Sequence, residues 1–219
     1  MGAKLLPDAP SANAIAELTG REKPEEIVVI GGHIDSWDVG DGSTDDGAGC
    51  LMAMEAVLML KELGLVPRRT IRVVLFTNEE NGVRGATAYA KDHEAELART
   101  VLAVESDGGG YSPRGFSVDA TPATTARVVK RIGEIAELLR PLDATRVVAG
   151  HSGTDVEPLI AGGVPTLGLD SNNRAYFDIH HTDADTLDKV DPAELAAAVA
   201  AIAVLAYVVA DLPDRVDAP

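Results

Sequence analysis

The residues of this chain that could do chemistry are imidazoles and carboxylates, and they come in short clusters. His33 and Asp35 form a His-x-Asp directly after Gly31-Gly32, and Asp45-Asp46 follow at the end of a Gly- and Asp-rich loop. Glu79-Glu80 and Asp107 close two later apolar runs, and His180-His181 lie in a late polar stretch. Imidazole and carboxylate are the donors that zinc takes in hydrolytic sites. Each residue alone has an ordinary explanation, because a strand-end Asp makes turns or caps helices and adjacent acids solvate a surface. Their placement is harder to explain that way. Glu79 and Glu80 at the end of a buried strand would repel each other in a shared cleft, and a divalent cation relieves that repulsion.

Strands and helices must carry these groups. Residues 12–19 alternate as a first strand, and residues 26–32 form a branched apolar run suited to a strand buried on both faces. A mostly buried helix is expected over 47–63, stopped by Gly64, and a second buried strand over 70–77. Short helices at 85–91 and 94–99 precede a strand at 101–106, and a short strand covers 116–118. A long amphipathic helix runs from Pro122 to Leu139, broken by Pro141. Strands at 146–149 and 165–170 bracket a helix at 155–161, and a last helix runs from Pro192 to about 211. This alternation predicts an α/β fold, a three-layer α/β/α domain around a central mixed, mostly parallel sheet. Three strands then end at His33, Glu79-Glu80 and Asp107, at the sheet edge where ligands collect. The expected domain is the whole of 1–219, with 1–11 a flexible leader and 212–219 a flexible tail.

Composition narrows the function classes. At 219 residues and 46% apolar the chain can bury a core, and its formal charge of -16 excludes a nucleic-acid partner. The single Cys50 rules out an intrachain disulfide and reads as a small buried hydrophobe. The Ala/Val-rich stretch 195–209 reads as a core helix, so no membrane partner is expected, and the first residues show no signal peptide. The expectation is a soluble protein of open compartment.

The strings GGHIDSWDVGDGSTDDGAG, RTIRVVLFTNEENGVRGATAYA, VESDGG and HHTDADTLDKVDP, in that order, resemble the co-catalytic dizinc exopeptidases, most closely the carboxypeptidase Q branch. The resemblance runs from about Leu6 to Leu212. It implies two zinc ions: one on His33 and Asp107, the other on Glu80 and His181, with Asp45 bridging them. It also implies Glu79 as the general base that moves the proton of a zinc-activated water to the leaving amine. His181 is preferred to His180 for its spacing to Asp185. Further roles are expected for Asp35, accepting the second ring N–H of His33, and for Asp46, in a cis Asp45–Asp46 peptide or capping the following helix. His151 or His180 is expected to donate to the oxyanion, and Asp155 and Asp185 to lie behind the ligands. Residues 150–155 and 172–177 are expected to line the pocket, Trp37 to pack there or form its wall, and His93 to sit on the surface. Members of that branch carry roughly as many residues again ahead of this region, so exposed apolar surface is expected.

The implied activity is an aminopeptidase or dipeptidase acting on short unblocked peptides, with a homodimer as a further expected partner state. Three alternatives stay open: a metallohydrolase of the same fold on a non-peptide amide (an amidohydrolase or a glutaminyl cyclase), a metal-binding but inactive fragment, and a binding module whose acids merely solvate its surface.

Overall fold

In the computed structural model, which describes residues 6–218, the branched apolar runs form the middle of one sheet. The strands are β1 (Ala14–Leu18), β2 (Lys23–His33), β3 (Arg69–Phe76), β4 (Thr100–Glu105), β5 (Pro113–Asp119), β6 (Arg146–Ala149) and β7 (Thr166–Ser171). Their order across the sheet is β1-β3-β2-β4-β7-β5-β6. The pairs β2–β3, β2–β4, β4–β7 and β5–β6 are parallel, while β1–β3 and β5–β7 are antiparallel. The sheet is therefore mixed and mostly parallel, as expected.

The alternating side chains of β2 explain the three layers. Val28 and Ile30 face a core shared with α1 (Ala48–Glu62), α4 (Thr125–Ala136) and α7 (Pro192–Asp211). Ile27 and Val29 face the opposite core, shared with α2 (Arg84–Asp92) and α5 (Glu157–Ile160). Both faces of the central strands are covered, which is why those strands read as unbroken apolar runs. By length and composition α7 could cross a membrane; in this fold it lies against α1 and supplies nine residues to the buried interior. On the outward side of α1, Leu51, Met54 and Leu58 are exposed.

Several boundaries differ from the sequence expectation for identifiable reasons. Residues 121–124 form a hydrogen-bonded turn before α4, so that helix starts at Thr125 and not at Pro122. Pro141 lies inside a 3-10 turn, Glu137–Leu142, that continues the helix. The helix expected at 155–161 is confined to α5, and just ahead of it the N–H groups of Asp155 and Val156 donate to the Glu105 carboxylate, at 2.8 and 2.9 Å. The helix expected at 94–99 is confined to α3 (Glu94–Leu97), and α6 (Tyr176–Ile179), which was not expected, interrupts a stretch read as loop. The expected flexible tail instead packs, with Val216 in the core and the Arg215 guanidinium donating to the carbonyls of Ala98 and Thr100. Of the expected leader, residues 1–5 lie outside the described part. Beyond them the chain runs without regular structure to β1, touching the body where the Ser11 and Thr77 hydroxyls meet at 2.8 Å.

A buried cation fastens the β1 side of the sheet. Arg72 of β3 donates to Glu17 of β1 (2.7 Å), to the Tyr89 hydroxyl of α2 (3.0 Å) and to Glu96 of α3 (2.6 Å). His93, expected as plain surface, packs on Tyr89 and meets Glu96 at 3.0 Å. Burial works against ionised Glu96, but the bonds and charge of Arg72 and the contact with His93 hold its pKa below the usual value. A carboxylate depressed in this way stabilises the fold above its unfolded pKa and loses that contribution as pH falls through the folded value. We therefore expect Glu96→Gln to be less stable than wild type at neutral pH, with the difference closing below about pH 4. Urea unfolding across pH measures this, and a gap that persists to pH 2 would refute it.

Candidate metal centre

The parallel strands bring the expected donors to one rim. His33 is the last residue of β2, opposite Phe76 of β3, and Gly31 lies opposite Glu105 of β4. The loop after β3 turns at Asn78, in the left-handed region (φ 63°) that Asn tolerates, and delivers Glu79-Glu80. Asp107 stands two residues beyond β4. Asp45-Asp46, joined by a cis peptide, sit in a tight turn, Ser43–Gly47, that runs straight into α1. His181 follows α6 and also holds a left-handed backbone, φ 58°. Gly32 has to be glycine, since a Cβ there would fall on the Asp46 carboxylate.

Two donor groups result, and they share one residue. His33, Asp45 and Asp107 form the first; Asp45, Glu80 and His181 form the second. His33 Nε2 lies 3.2 Å from Asp45 Oδ1 and 3.9 Å from Asp107 Oδ1. His181 Nε2 lies 3.3 Å from Asp45 Oδ2 and 2.9 Å from Glu80 Oε2. Donors about 2.0–2.1 Å from a tetrahedral ion stand about 3.3–3.4 Å apart, so both groups have the spacing such an ion needs. Asp45 turns one oxygen to each group, the arrangement of a bridging carboxylate. His33 Nε2 and Glu80 Oε1 are buried without a hydrogen-bond partner, as donors reserved for an ion would be. Glu79 Oε2 reaches only to 4.0 Å from His33 Nε2, beside the donors.

The electrostatics show a pocket short of positive charge. Burial disfavours an imidazolium at His33, yet its close contact with Asp45 and the charges of Asp46 and Asp107 raise its pKa to about 11. Asp107 is pushed up to about 6, chiefly by burial and then by Asp45 and Glu79, against the opposing charge of His33. Burial, with the charges of Asp45 and Glu79, also raises Glu80. Burial lifts Asp46 and Glu105 well above the usual carboxylate range, and lifts Asp155 to about 7. Asp45 alone among these acids is lowered: burial acts against it, but the close contact and charge of His33 and the charge of His181 prevail.

Behind the donors, the structure places the other expected residues as follows. The main-chain carbonyl of Asp35, not its carboxylate, meets His33 Nδ1 at 2.9 Å; the carboxylate is 3.8 Å away. That carboxylate accepts the Glu79 N–H at 3.0 Å and so holds the loop of the adjacent acids. Asp46 accepts the N–H of His33 and of Gly49, both at 3.0 Å, tying strand end to helix start. Asp185 accepts from the Thr44 N–H (2.8 Å), the Thr44 hydroxyl (2.9 Å) and the Asp45 N–H (3.1 Å). Trp37 stacks on His181, and His180 stacks on its neighbour as well. His151 and His180 both line the open cavity of ≈ 510 Å³ beside the donors, with Ser152, Gly153 and Phe177 among the other walls. Sequence reasoning missed Tyr176, whose hydroxyl donates to Asp107 Oδ1 at 3.2 Å; it had been placed only in a pocket-lining stretch. Glu105 was also missed, since it reads as one more residue of a buried strand.

Asp185 is the tie whose loss should be easiest to read. Its removal orphans two buried N–H groups, at about 1–3 kcal/mol each. Asp185→Ala should therefore lower the stability of the metal-free protein by about 2–6 kcal/mol, and Asp185→Asn, which keeps an acceptor oxygen, by clearly less. Equal stability of both variants and wild type in urea would refute the tie.

The comparisons with known proteins point the same way. The profile of peptidase family M28 matches residues 13–206. Carboxypeptidase Q of Mus musculus is 43% identical over 216 residues, 99% of this chain but 45% of its own length, and that of Xenopus laevis is 39% identical over the same share. The chain thus spans less than half the length of the curated relatives it matches. The crystal structure of a peptidase M28 precursor from Shewanella amazonensis superposes with a TM-score of 0.85 at 40% identity, over 94% of this chain and 46% of that one. A zinc aminopeptidase from Bacillus subtilis, 20% identical, shares the fold with a TM-score of 0.73 over 94% of this chain and 52% of its own. With the profile covering most of its length and relatives above 40% identity across nearly all of it, this chain belongs to peptidase family M28.

Proposed function

We propose that this chain carries the catalytic centre of a zinc exopeptidase that removes N-terminal residues from dipeptides or other short unblocked peptides. The observation that carries the reading is Asp45, one carboxylate shared by two imidazole-carboxylate donor groups, with Glu79 beside them and bound to neither. His33, Asp45 and Asp107 would hold one zinc and Asp45, Glu80 and His181 the other. Bound there, the ions would supply the Lewis acidity that makes a water easier to deprotonate and a carbonyl easier to attack.

The chain's own residues supply the rest. Glu79 is the proton carrier, taking a proton from the attacking water and returning it to the leaving amine. Its backbone is fixed by the Asp35 carboxylate, so the side chain is presented from a held loop. Tyr176, bonded to Asp107, fixes that carboxylate's orientation. The cavity wall holds five carboxylates and neither Lys nor Arg. A wall without a cationic side chain offers no partner to a free C-terminal carboxylate, which supports trimming from the amino end. His151 and His180 stand on the same wall, where either can donate to the developing oxyanion.

Metal content and turnover together test this. Wild type should retain two zincs per chain and release the N-terminal residue of unblocked dipeptides, but not of their N-acetylated forms. Glu79→Gln should keep both zincs and lose about 10²–10⁴-fold in kcat, and Asp45→Ala should lose metal as well as activity. Full activity in Glu79→Gln would remove the proposed base. Faster turnover of blocked amides than of free dipeptides would favour an amidohydrolase of the same fold.

A further inference from the structure

The two histidines of the centre are held in different ways. The His33 side chain is fully buried, and its second ring nitrogen meets the Asp35 carbonyl. The His181 side chain is 38% exposed, and among the described residues no hydrogen bond engages its Nδ1. Imidazoles that ligate metals are normally oriented through that second nitrogen. At His181 the ring faces carry the contacts instead: Trp37 lies 4.6 Å away at 10° and His180 4.2 Å away at 24°. A stack fixes the plane of a ring without occupying its in-plane lone pair, so Nε2 stays free to face Asp45 and Glu80.

Trp37 is itself held where two loops meet. The Asp41 N–H donates to the Asp185 carbonyl at 3.0 Å, and Gly40, lacking a Cβ, lets the Thr182 carbonyl come close. The Gly40 N–H closes back on the Trp37 carbonyl at 3.3 Å. Trp37 as a residue remains 41% exposed, so packing into a core does not account for its position.

We propose that Trp37 is a positioning residue for the Asp45–Glu80–His181 donor group, its indole holding the His181 ring in the plane that presents Nε2 to that group. The inference rests on the metal-centre reading above and concerns only one of its two halves. Removing the indole leaves His33, Asp45 and Asp107 as they are, while His181 must order itself on binding. Loss of a partner behind a metal ligand typically weakens binding by about 10–100-fold.

Zinc titration of the metal-free protein against a chromophoric chelator tests this, followed in parallel by the emission of Trp37, the only tryptophan. Wild type should bind two zincs, with emission changing as one of them binds, and His181→Ala should abolish that change. Trp37→Ala should weaken one zinc by about tenfold or more and leave the other within about twofold, while Trp37→Phe, which keeps an aromatic face, should recover most of the loss. Two zincs held equally by wild type and Trp37→Ala, an equal loss at both sites, or flat emission through both events would overturn this inference alone. Fewer than two zincs in wild type would overturn the metal-centre reading and the inference with it.

Discussion

Negative charge gathered at one end of a buried sheet is the constraint on which this structure turns. Asp45, Glu80, Glu105, Asp107 and Asp155 stand near one another in a setting that raises all but Asp45 above the usual carboxylate range. Without divalent ions, the imidazole of His33, whose pKa is raised, and protons on the buried acids offset part of this charge. Carboxylates seldom persist in that state unless something is gained. Divalent ions shared through Asp45 would discharge the whole cluster at once.

The sheet topology delivers the donors, and hydrogen bonds from acids that hold no donor position refine them. Three neighbouring parallel strands end together, which puts His33, Glu79-Glu80 and Asp107 within a few Å although they are far apart in sequence. Asp46 then fastens strand to helix, Asp35 fastens the loop of paired acids, and Asp185 fastens the late histidine loop to the early turn. Each of these acids accepts main-chain N–H groups, so each sets backbone position and not merely charge.

Much of this was legible in the sequence. Branched apolar runs ending in acids or histidine gave both the strands and the rim, because burial on both faces leaves a strand few polar residues before its end, Arg72 of β3 being one that its ion pairs accommodate. His33, Asp45, Glu79, Glu80, Asp107 and His181 were named from the motif strings, and the fold brings all six together. What stayed illegible depends on backbone direction. Whether His33 is held by the carboxylate or the carbonyl of Asp35 turns on the course of one loop, and the role of Glu105 on where its carboxylate points. Tyr176 was read only as part of a pocket-lining stretch, since no spacing in the sequence pairs its hydroxyl with Asp107. The 3-10 continuation at Pro141 was hidden for a similar reason: proline is excluded from the interior of an α-helix but not from a tighter turn at its end.

The Asp185 clasp joins partners 141 residues apart, and this separates the two halves of the centre by contact range. One half closes between His33 and Asp107, within β2, α1 and β4; the other waits for His181, beyond β7 and α6. Bringing more distant segments together costs more chain entropy before any contact repays it. A growing or refolding chain can therefore complete the inner half first and the outer half last, so the outer half becomes a marker of complete folding.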